Sequence, residues 1–433
     1  MDCEVAIIGA GVAGLAAAAV LAQSGMTVRC LEATPYVGGR IRTVRDPLAS
    51  FPIELGAEFV HGRPPETWEI VRRAGLQIYE HSSKCHSIDN GEADKVFAAA
   101  AKSRRRGDES FAQFLRRSRY PAQAKMQAAR QVEGFDAARQ ELISLASLKL
   151  EWKAAEDIEG DRSFRLIDGY DSVVHELVRS IPGWPSVVQL NSVVERVNWR
   201  RDRVVVTYRD TLDDTEHTLT CRKLIVTVSL GVLQAAPGSM GAIAFEPSPA
   251  DALKAAGALI LGHAFRVTLR FSEAFWEEDK RFRQVGFLFS GEKLFPTWWT
   301  TQPVATPLLT GWTAGGAADE LLNETPTAIE KEALASLRCI LGRPIPRPLS
   351  THFHDWSSDP FFRGAYSYVP VHALSARRAL ARPIEETLFF AGEATETSGN
   401  AATVHGAIAA GIQAADRATS SKVDGLSLPR RNR

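Results

Sequence analysis

The chain has 433 residues, of which 45% are hydrophobic, and its 51 basic residues balance its 51 acidic ones. This balance excludes a general electrostatic attraction to nucleic acid or to an acidic membrane surface. The five cysteines form no CxxC pair, which argues for a reducing compartment and against a disulfide framework or a zinc site. The length predicts at least two domains with ample cores.

The first element is a short apolar run, residues 5–8, which is typical of a buried parallel strand. It leads through a glycine-rich turn, residues 9–14, into an Ala/Leu-rich helix and then a second strand that ends on Glu32. In this order Gly9 makes the tight turn, Gly11 lets the backbone approach a pyrophosphate, and Gly14 allows close packing. Glu32 is placed to accept ribose hydroxyls. The stretch therefore predicts a dinucleotide-binding unit.

A second phosphate-binding element follows directly. Gly38, Gly39, Arg40 and Arg42 come just after the acidic residue, and this double fingerprint indicates FAD rather than NAD. Farther on, residues 53–62 contain Gly56-Ala57, a pair that suggests a backbone held close to a flat group.

Apolar residues at helical spacing then predict helices at residues 67–74, 94–105, 110–117 and 121–158. The triple arginine at 104–106 is followed at once by acidic residues, so we interpret it as a solvated helix end rather than a nucleic-acid site. Strand patterns return at 187–190, 193–199, 204–209, 217–221 and 223–228, and residues 224–233 are interpreted as one buried strand.

The last third predicts a helix at 250–258, a second sheet from strands 265–271, 284–289, 297–300 and 308–313, and a helix at 326–341. A final strand, 388–393, precedes a helix at 403–417. We predict an α/β fold with a discontinuous cofactor domain (residues 1–65, 160–245 and 350–420) and an α+β substrate domain (66–159 and 246–349), followed by a polar tail, 421–433.

The predicted cofactor-binding stretch begins at residue 3, and no run of about 18 apolar residues occurs, so we expect a soluble cytoplasmic protein without a signal peptide or membrane span. No HExxH, GxSxG or P-loop motif is present. His352 and His354 alternate on a predicted strand beside Asp355 without a third ligand, so we predict no metal site.

Segments 5–43, 53–62, 190–197, 225–233, 243–276, 356–368 and 390–411 resemble, in order, the flavin-dependent amine oxidases: polyamine oxidases, monoamine oxidases and the amine-oxidase domain of histone lysine demethylases. "ELGAEFVHG", "DPFFRGAYSYV" and "FAGEAT…TVHGA" carry the likeness to the polyamine-oxidase and demethylase branch. The resemblance implies a two-domain, glutathione-reductase-like FAD-binding (Rossmann-type) fold. It also implies hydride loss from a C–N carbon to flavin.

The resemblance assigns cofactor-binding roles to Gly9, Gly11, Ala13, Gly14, Glu32, Gly39, Arg40, Arg42, Gly56, Ala57, Glu58, Phe59, Val194, Gly392, Glu393, Thr403 and Val404. Monoamine oxidases attach flavin to a cysteine immediately before the first aromatic residue of the substrate cage. That position is Ala365, which predicts noncovalent FAD.

By the same resemblance, Tyr366 is the first cage ring, Thr403 occupies the second cage position, and Arg266 replaces the family lysine that holds a water near the flavin. An arginine there could order the water, favour superoxide, displace the water or bind a substrate carboxylate. Glu58, Phe59 and His61 are expected in the substrate pocket. Glu58 could hold a cationic amine or pair structurally with an arginine such as Arg42.

We therefore predict oxidation of a primary or secondary amine, polyamine-like in character, to an imine and aldehyde with oxygen reduced to hydrogen peroxide, by a monomer or homodimer. The alternatives are an L-amino-acid oxidase, a flavin desaturase or dehydrogenase, and a flavin-bound protein with lost catalysis. The long helical insertion and accessory domain of the demethylase branch have no counterpart in the sequence, which argues against chromatin demethylation.

Overall fold

A computed structural model describes residues 1–87, 92–104 and 107–420. Part of the predicted arginine-rich helix end and the predicted tail 421–433 lie outside these residues. The helices are Val12–Gln23, Pro65–Ala74, Glu92–Lys102, Phe111–Arg117, Ala122–Asp136, Leu145–Asp157, Asp171–Arg179, Leu230–Leu233, Ala250–Ala258, Gly316–Asp319, Pro326–Leu341, Ala376–Leu380 and Val404–Ser420, with short 3-10 turns at Phe275–Glu278 and Glu393–Thr395.

The centre of the molecule is a parallel sheet of five strands. In spatial order these are Leu388–Phe390, Lys223–Val226, Val5–Ile8, Val28–Leu31 and Val188–Gln189. The central strands are buried on both faces, which explains their nearly continuous apolar sequence. Residues far apart in the sequence thus meet in one sheet, as the predicted discontinuous domain requires.

The two faces of the parallel sheet carry different layers. The first and last long helices, Val12–Gln23 and Val404–Ser420, share one hydrophobic cluster with it. A meander covers the opposite face, with the strands Thr215–Cys221, Arg203–Asp210, Ser192–Arg200 and Ala244–Glu246 in that spatial order. This layering confirms the predicted meander and brings the carboxyl ends of the parallel strands to one edge.

A second, six-stranded sheet consists in spatial order of Ser350–Phe353, Ala264–Arg270, Leu308–Ala314, Thr297–Trp299, Phe287–Phe289 and Cys85–Ser87. Every neighbouring pair is antiparallel except the last. Ser350–Phe353 pairs with Ala264–Arg270, so the predicted domain boundary at residue 350 would separate a strand from its sheet. The remaining short strands are Ile260–Leu261 with Ser367–Tyr368, Thr43–Val44 with Ile53–Glu54, and Val60–His61, Ser163–Leu166 and Ile78–Glu80.

Serine caps account for two of the predicted elements that are wrong in extent. The predicted helix 121–158 is two helices, because the chain turns at Ala137 (φ 48°) and the Ser144 side chain caps the second helix. The predicted strand 224–233 ends at Val226, and the Ser229 side chain caps a short helix after it. In the portion of the chain that the structure describes, no helix has the length and apolarity to cross a bilayer.

Candidate active site

One cavity of about 890 Å³ runs from the glycine-rich turn of the parallel sheet to the face of the six-stranded sheet. All predicted site residues except Gly14 and Arg42 line it: Gly9, Gly11, Ala13, Glu32, Gly39, Arg40, Gly56, Ala57, Glu58, Phe59, His61, Val194, Arg266, Tyr366, Gly392, Glu393, Thr403 and Val404. The fold therefore brings residues from the whole length of the chain to one place.

At the nucleotide end, Gly11 has ordinary extended geometry (φ −67°, ψ 175°), and the nearest atom to a Cβ built there would be Gly39 Cα at 3.9 Å. The protein itself would tolerate a side chain at this position, so the open space in front of Gly11 fits a ligand that needs close contact with the backbone. Gly14 differs, because a Cβ there would lie 1.9 Å from the Gly9 carbonyl oxygen. Its role is packing, as predicted.

Glu32 is buried in the same wall. Its carboxylate accepts hydrogen bonds from the Ala10 amide (2.6 Å) and from the Thr34 amide and hydroxyl (2.9 and 2.8 Å). Burial raises the pKa of Glu32, and these donors oppose the rise. A carboxylate has about four acceptor positions and three are used, so Glu32 retains capacity for one ribose hydroxyl. A buried carboxylate with a free acceptor position fits the nucleotide half of a dinucleotide cofactor.

The arginines of the second predicted phosphate-binding element contact other residues of the protein. Arg40 donates to the Ala365 carbonyl and lies 3.3 Å from the Glu393 carboxylate, which also accepts from the Ser367 hydroxyl at 2.6 Å. The prediction that Arg42 lines the site receives no support. Its guanidinium lies over the Tyr36 ring and contacts His354, and Arg42 is not among the residues that line the cavity.

At the opposite end, Tyr366 is half-buried and donates from its hydroxyl to the Phe135 carbonyl oxygen (2.7 Å). Thr403 is engaged as well: its hydroxyl accepts from the Gly406 amide (3.0 Å) and donates to the Asn400 carbonyl (2.6 Å). Thr403 therefore orders the start of the helix Val404–Ser420, whose first amides and dipole end border the cavity. Such an end stabilises negative charge.

Gly56 has a different reason to be glycine from the one predicted. A Cβ there would lie 1.8 Å from the Arg40 carbonyl oxygen, so the close neighbour is the protein's own backbone. The Ala57 amide donates to the same carbonyl (3.0 Å). The pairing aligns residues 56–59 along the cavity wall, with the Phe59 ring packed against Trp299, and His61 is an exposed residue of the same lining.

Glu58 forms structural ion pairs, which is one of the two predicted roles, but its partners are other arginines than Arg42. One carboxylate oxygen lies 2.6 Å from Arg165, and the other lies 2.9 Å from Arg266 and accepts from the Trp299 indole at 3.1 Å. Although burial opposes ionisation, the two guanidinium groups hold the pKa of Glu58 below its usual value. Both oxygens are occupied, so Glu58 does not meet a cationic substrate directly.

Backbone carbonyl groups and two tryptophan rings hold Arg266 in place, in addition to Glu58. Its Nη1 donates to the carbonyl oxygens of Gly56 and Glu54, and its guanidinium faces the rings of Trp299 and Trp312 at 5.3 and 5.9 Å. Its Nε has no partner among the described residues, although the side chain is only 8% exposed and lines the cavity. The arginine is thus a fixed cation in the wall, unlike a flexible lysine.

Sequence reasoning missed four residues that line the cavity, Trp299, Trp312, Asp136 and Glu151, and it also missed Arg165, the ion-pair partner of Glu58. Arg165 had a usable signal, since it is a charge inside the apolar run Phe164–Leu166. The tryptophans could not be separated from ordinary core residues. His352 and His354 contact Asp46 and Asp359, respectively, and no group of three metal-type ligands is found within residues 1–87, 92–104 and 107–420.

Glu54, next to this wall, predicts a pH effect on stability. Burial raises the pKa of Glu54 to about 7, with repulsion from Glu58 adding to the rise, while the Tyr170 amide and Thr43 hydroxyl oppose it. The folded protein therefore holds a proton that the unfolded chain releases, so this stabilisation is complete below the ordinary pKa of 4.5 and is lost as the pH rises through 7. Denaturant titrations of the wild type and Glu54→Gln at pH 5 and 8 test this. Between pH 5 and pH 8, the free energy of unfolding of the wild type should fall by up to about 3 kcal/mol more than that of the variant. An equal change in the two proteins would contradict the prediction.

Comparison with known proteins gives a family match for this chain. A family profile described as flavin-containing amine oxidoreductase matches the chain in two overlapping segments, residues 12–141 and 87–419. Protein FLOWERING LOCUS D of Arabidopsis thaliana is 30% identical over 98% of this chain and 56% of its own length. Lysine-specific histone demethylase 1 homolog 2 of Oryza sativa subsp. japonica is 28% identical over 96% of this chain and 57% of its own.

Polyamine oxidase 2 of Arabidopsis thaliana is 26% identical over 95% of this chain and 87% of its own length. The chain thus spans little more than half of the two preceding relatives but most of this one. Among solved structures, cyclohexylamine oxidase from Brevibacterium oxydans IH-35A superposes with a TM-score of 0.81 at 21% identity, covering 98% and 100% of the two chains. This likeness and the parallel sheet confirm the predicted fold class.

Proposed function

The chain belongs to the flavin-containing amine oxidoreductases, and on that premise we propose that it binds FAD noncovalently and oxidises a primary or secondary amine with it. The observation that carries the proposal is one continuous cavity, which joins a nucleotide-type wall at Gly11 and Glu32 to an aromatic wall at Tyr366 and Trp299. One elongated cofactor can reach from the first wall to the second. An amine then fits between the cofactor and the aromatic rings.

Two features support FAD without a covalent bond. The glycine-rich turn and Glu32 match the ADP half of the cofactor, and the start of the helix Val404–Ser420 borders the other end. Ala365, which lines the cavity before Tyr366, has no nucleophilic side chain to form a thioether.

The chemistry follows from what each group contributes. When bound, the flavin would accept the hydride lost from the carbon beside the nitrogen, and oxygen would reoxidise it with formation of peroxide. Tyr366 and the tryptophan rings would orient an uncharged amine and exclude water. The helix end at Val404 would stabilise negative charge that develops on the ring. The fixed charge of Arg266 would favour a reduced oxygen anion near the wall.

The test is anaerobic mixing of the purified yellow protein with polyamines, alkyl and aryl-alkyl amines, and L-amino acids, followed by admission of air. We expect one amine class to bleach the visible absorbance band of oxidised flavin, and air to restore it with one equivalent of peroxide. Bleaching without rapid reoxidation would instead identify a dehydrogenase, and bleaching by amino acids alone an amino-acid oxidase. If no amine bleaches the flavin, the proposal is wrong.

A further inference from the structure

Two of the five cysteines lie side by side at the end of the parallel sheet that faces away from the cavity. Cys3 and Cys221 are 4% and 0% exposed, and both belong to the hydrophobic cluster between this sheet and the meander. The Cys221 thiol donates a hydrogen bond to the Cys3 sulfur, which lowers the pKa of Cys3 although burial opposes it. The same contact raises the pKa of Cys221. The site described above uses neither thiol.

The backbone brings the two cysteines together independently of their thiols. In the parallel pairing of two central strands, Val5 lies opposite Lys223. Cys3 and Cys221 each come two positions before this pair. The Cys3 amide also donates to the Thr220 carbonyl oxygen (3.4 Å), which keeps the two segments adjacent ahead of the strands. Neighbouring strands lie about 4.8 Å apart, and disulfides join Cα atoms that are about 4.4–6.8 Å apart. The spacing therefore suits a bond between the two sulfurs.

The other three cysteines are placed differently. Cys30 is buried in the same sheet, but it pairs with Ile7, four residues along the strand from Cys3 and thus about 13 Å away. Cys85 and Cys339 are exposed and belong to a strand of the second sheet and to a long helix. The geometry therefore singles out one pair of thiols.

A small oxidant can reach this pair when residues 1–3 move. These residues precede the first strand, and Met1 and Asp2 are exposed. Thr220 anchors them: its carbonyl oxygen accepts from the amides of Asp2 (2.9 Å) and Cys3, and its amide donates to the Asp2 carboxylate (2.7 Å). Local opening of this short segment leaves the pairing of the sheet intact.

We propose that Cys3 and Cys221 form a reversible disulfide on exposure to hydrogen peroxide, and that this bond locks together the two strands that follow them. The Cys3 thiolate attacks one peroxide oxygen and becomes a sulfenic acid, and the released hydroxide takes up the thiol proton to give water. The Cys221 sulfur then displaces hydroxide from the sulfenic sulfur, and its own proton converts that hydroxide to water. Two thiols and one peroxide thus give one disulfide and two waters, and an excess of a small thiol reverses the reaction.

The locked strands carry the nucleotide wall of the cavity. At their far ends, the Thr227 hydroxyl donates to the Gly9 carbonyl oxygen (2.9 Å), at the start of the glycine-rich turn. A covalent bond at the near ends removes freedom from the unfolded chain and so stabilises this unit. Hydrogen peroxide is a product of the proposed function, so the protein would release its own oxidant. The inference goes beyond that function, and peroxide can be added without any amine.

The test adds hydrogen peroxide to the purified full chain, blocks the remaining thiols with N-ethylmaleimide and digests the protein with trypsin without a reductant. Cleavage after lysine and arginine places Cys3 in peptide 1–29, Cys30 in 30–40 and Cys221 in 210–222. We expect peptide 1–29 linked to 210–222, with a mass two hydrogens below the sum of the two, and its disappearance after treatment with dithiothreitol.

Cys3→Ala and Cys221→Ala should each abolish the linked peptide, whereas the control Cys339→Ala, which removes an exposed thiol, should retain it. The Tm of the oxidised wild type should exceed that of the reduced protein by at least about 3 °C. Peroxide should shift the Tm of Cys3→Ala by less than about 1 °C.

The peptide map of the wild type is decisive even where a variant fails to fold. Absence of the linked peptide, or linkage of peptide 1–29 to 30–40 instead, would overturn the disulfide. A linked peptide without a rise in Tm would overturn the locking role. Because peroxide is added directly, these outcomes are separate from the test of amine oxidation.

Discussion

Replacement of Glu58 by alanine is expected to lower the free energy of unfolding by about 3–5 kcal/mol, the range found when one member of a buried ion pair is removed. The side chains of Glu58, Arg165 and Arg266 are 3%, 5% and 8% exposed, so neither guanidinium can recover its lost partner by turning to solvent. Each guanidinium also has a buried nitrogen that finds no partner in the part of the chain that the structure describes, Nη1 in Arg165 and Nε in Arg266. Without the carboxylate, two positive charges would face each other in the wall.

Denaturant unfolding of the purified variant measures this loss. Glu58→Gln keeps the acceptor oxygen and should have a smaller effect, whereas Glu195→Ala removes the partly exposed pair with Arg209 and should change stability by less than about 1 kcal/mol. Retention of wild-type stability by Glu58→Ala would show that the two arginines find other counter-charges. Since Arg266 would lose its anchor, we also expect slower flavin bleaching by the best amine.

Gly11→Val is expected to weaken flavin binding at least about a hundredfold, roughly 2.7 kcal/mol, while the apoprotein keeps its stability. The backbone at Gly11 suits any residue, and a Cβ there would approach nothing closer than 3.9 Å. The added side chain therefore fills only the space in front of the turn, which we assign to the pyrophosphate. The flavin content of the purified protein and titration of the apoprotein with FAD measure the effect.

Gly257→Ala provides the control for this experiment. Gly257 lies inside the helix Ala250–Ala258, and a Cβ there would meet no atom within 4 Å. Alanine should leave flavin binding unchanged and stabilise the helix by up to about 1 kcal/mol. If Gly11→Val binds FAD as tightly as the wild type, the cofactor does not pass along this turn.

The cofactor half of the site could be predicted from sequence because its chemistry is local. Gly9, Gly11, Gly14 and Glu32 belong to one strand–helix–strand unit, and backbone geometry alone requires their spacing. The serine caps at Ser144 and Ser229 are also local, yet apolar periodicity hid them, since the residues on both sides of each break remain apolar. Hydrophobic pattern predicts burial better than it predicts where an element ends.

The substrate end depends on contacts between distant segments. Glu58 and Arg165 are 107 positions apart and Arg266 is farther still, and no local pattern specifies that they meet. Sequence alone determined the parallel-sheet fold and the family, and short-range spacing predicted which glycines and which acidic residue line one wall of the cavity. Only the tertiary structure decided that Glu58 is neutralised by two arginines, that Arg42 is not among the cavity-lining residues, and that Asp136 and Glu151 line the cavity. The reason is that a buried charge takes its properties from its neighbours in space, which the sheets and helices bring together.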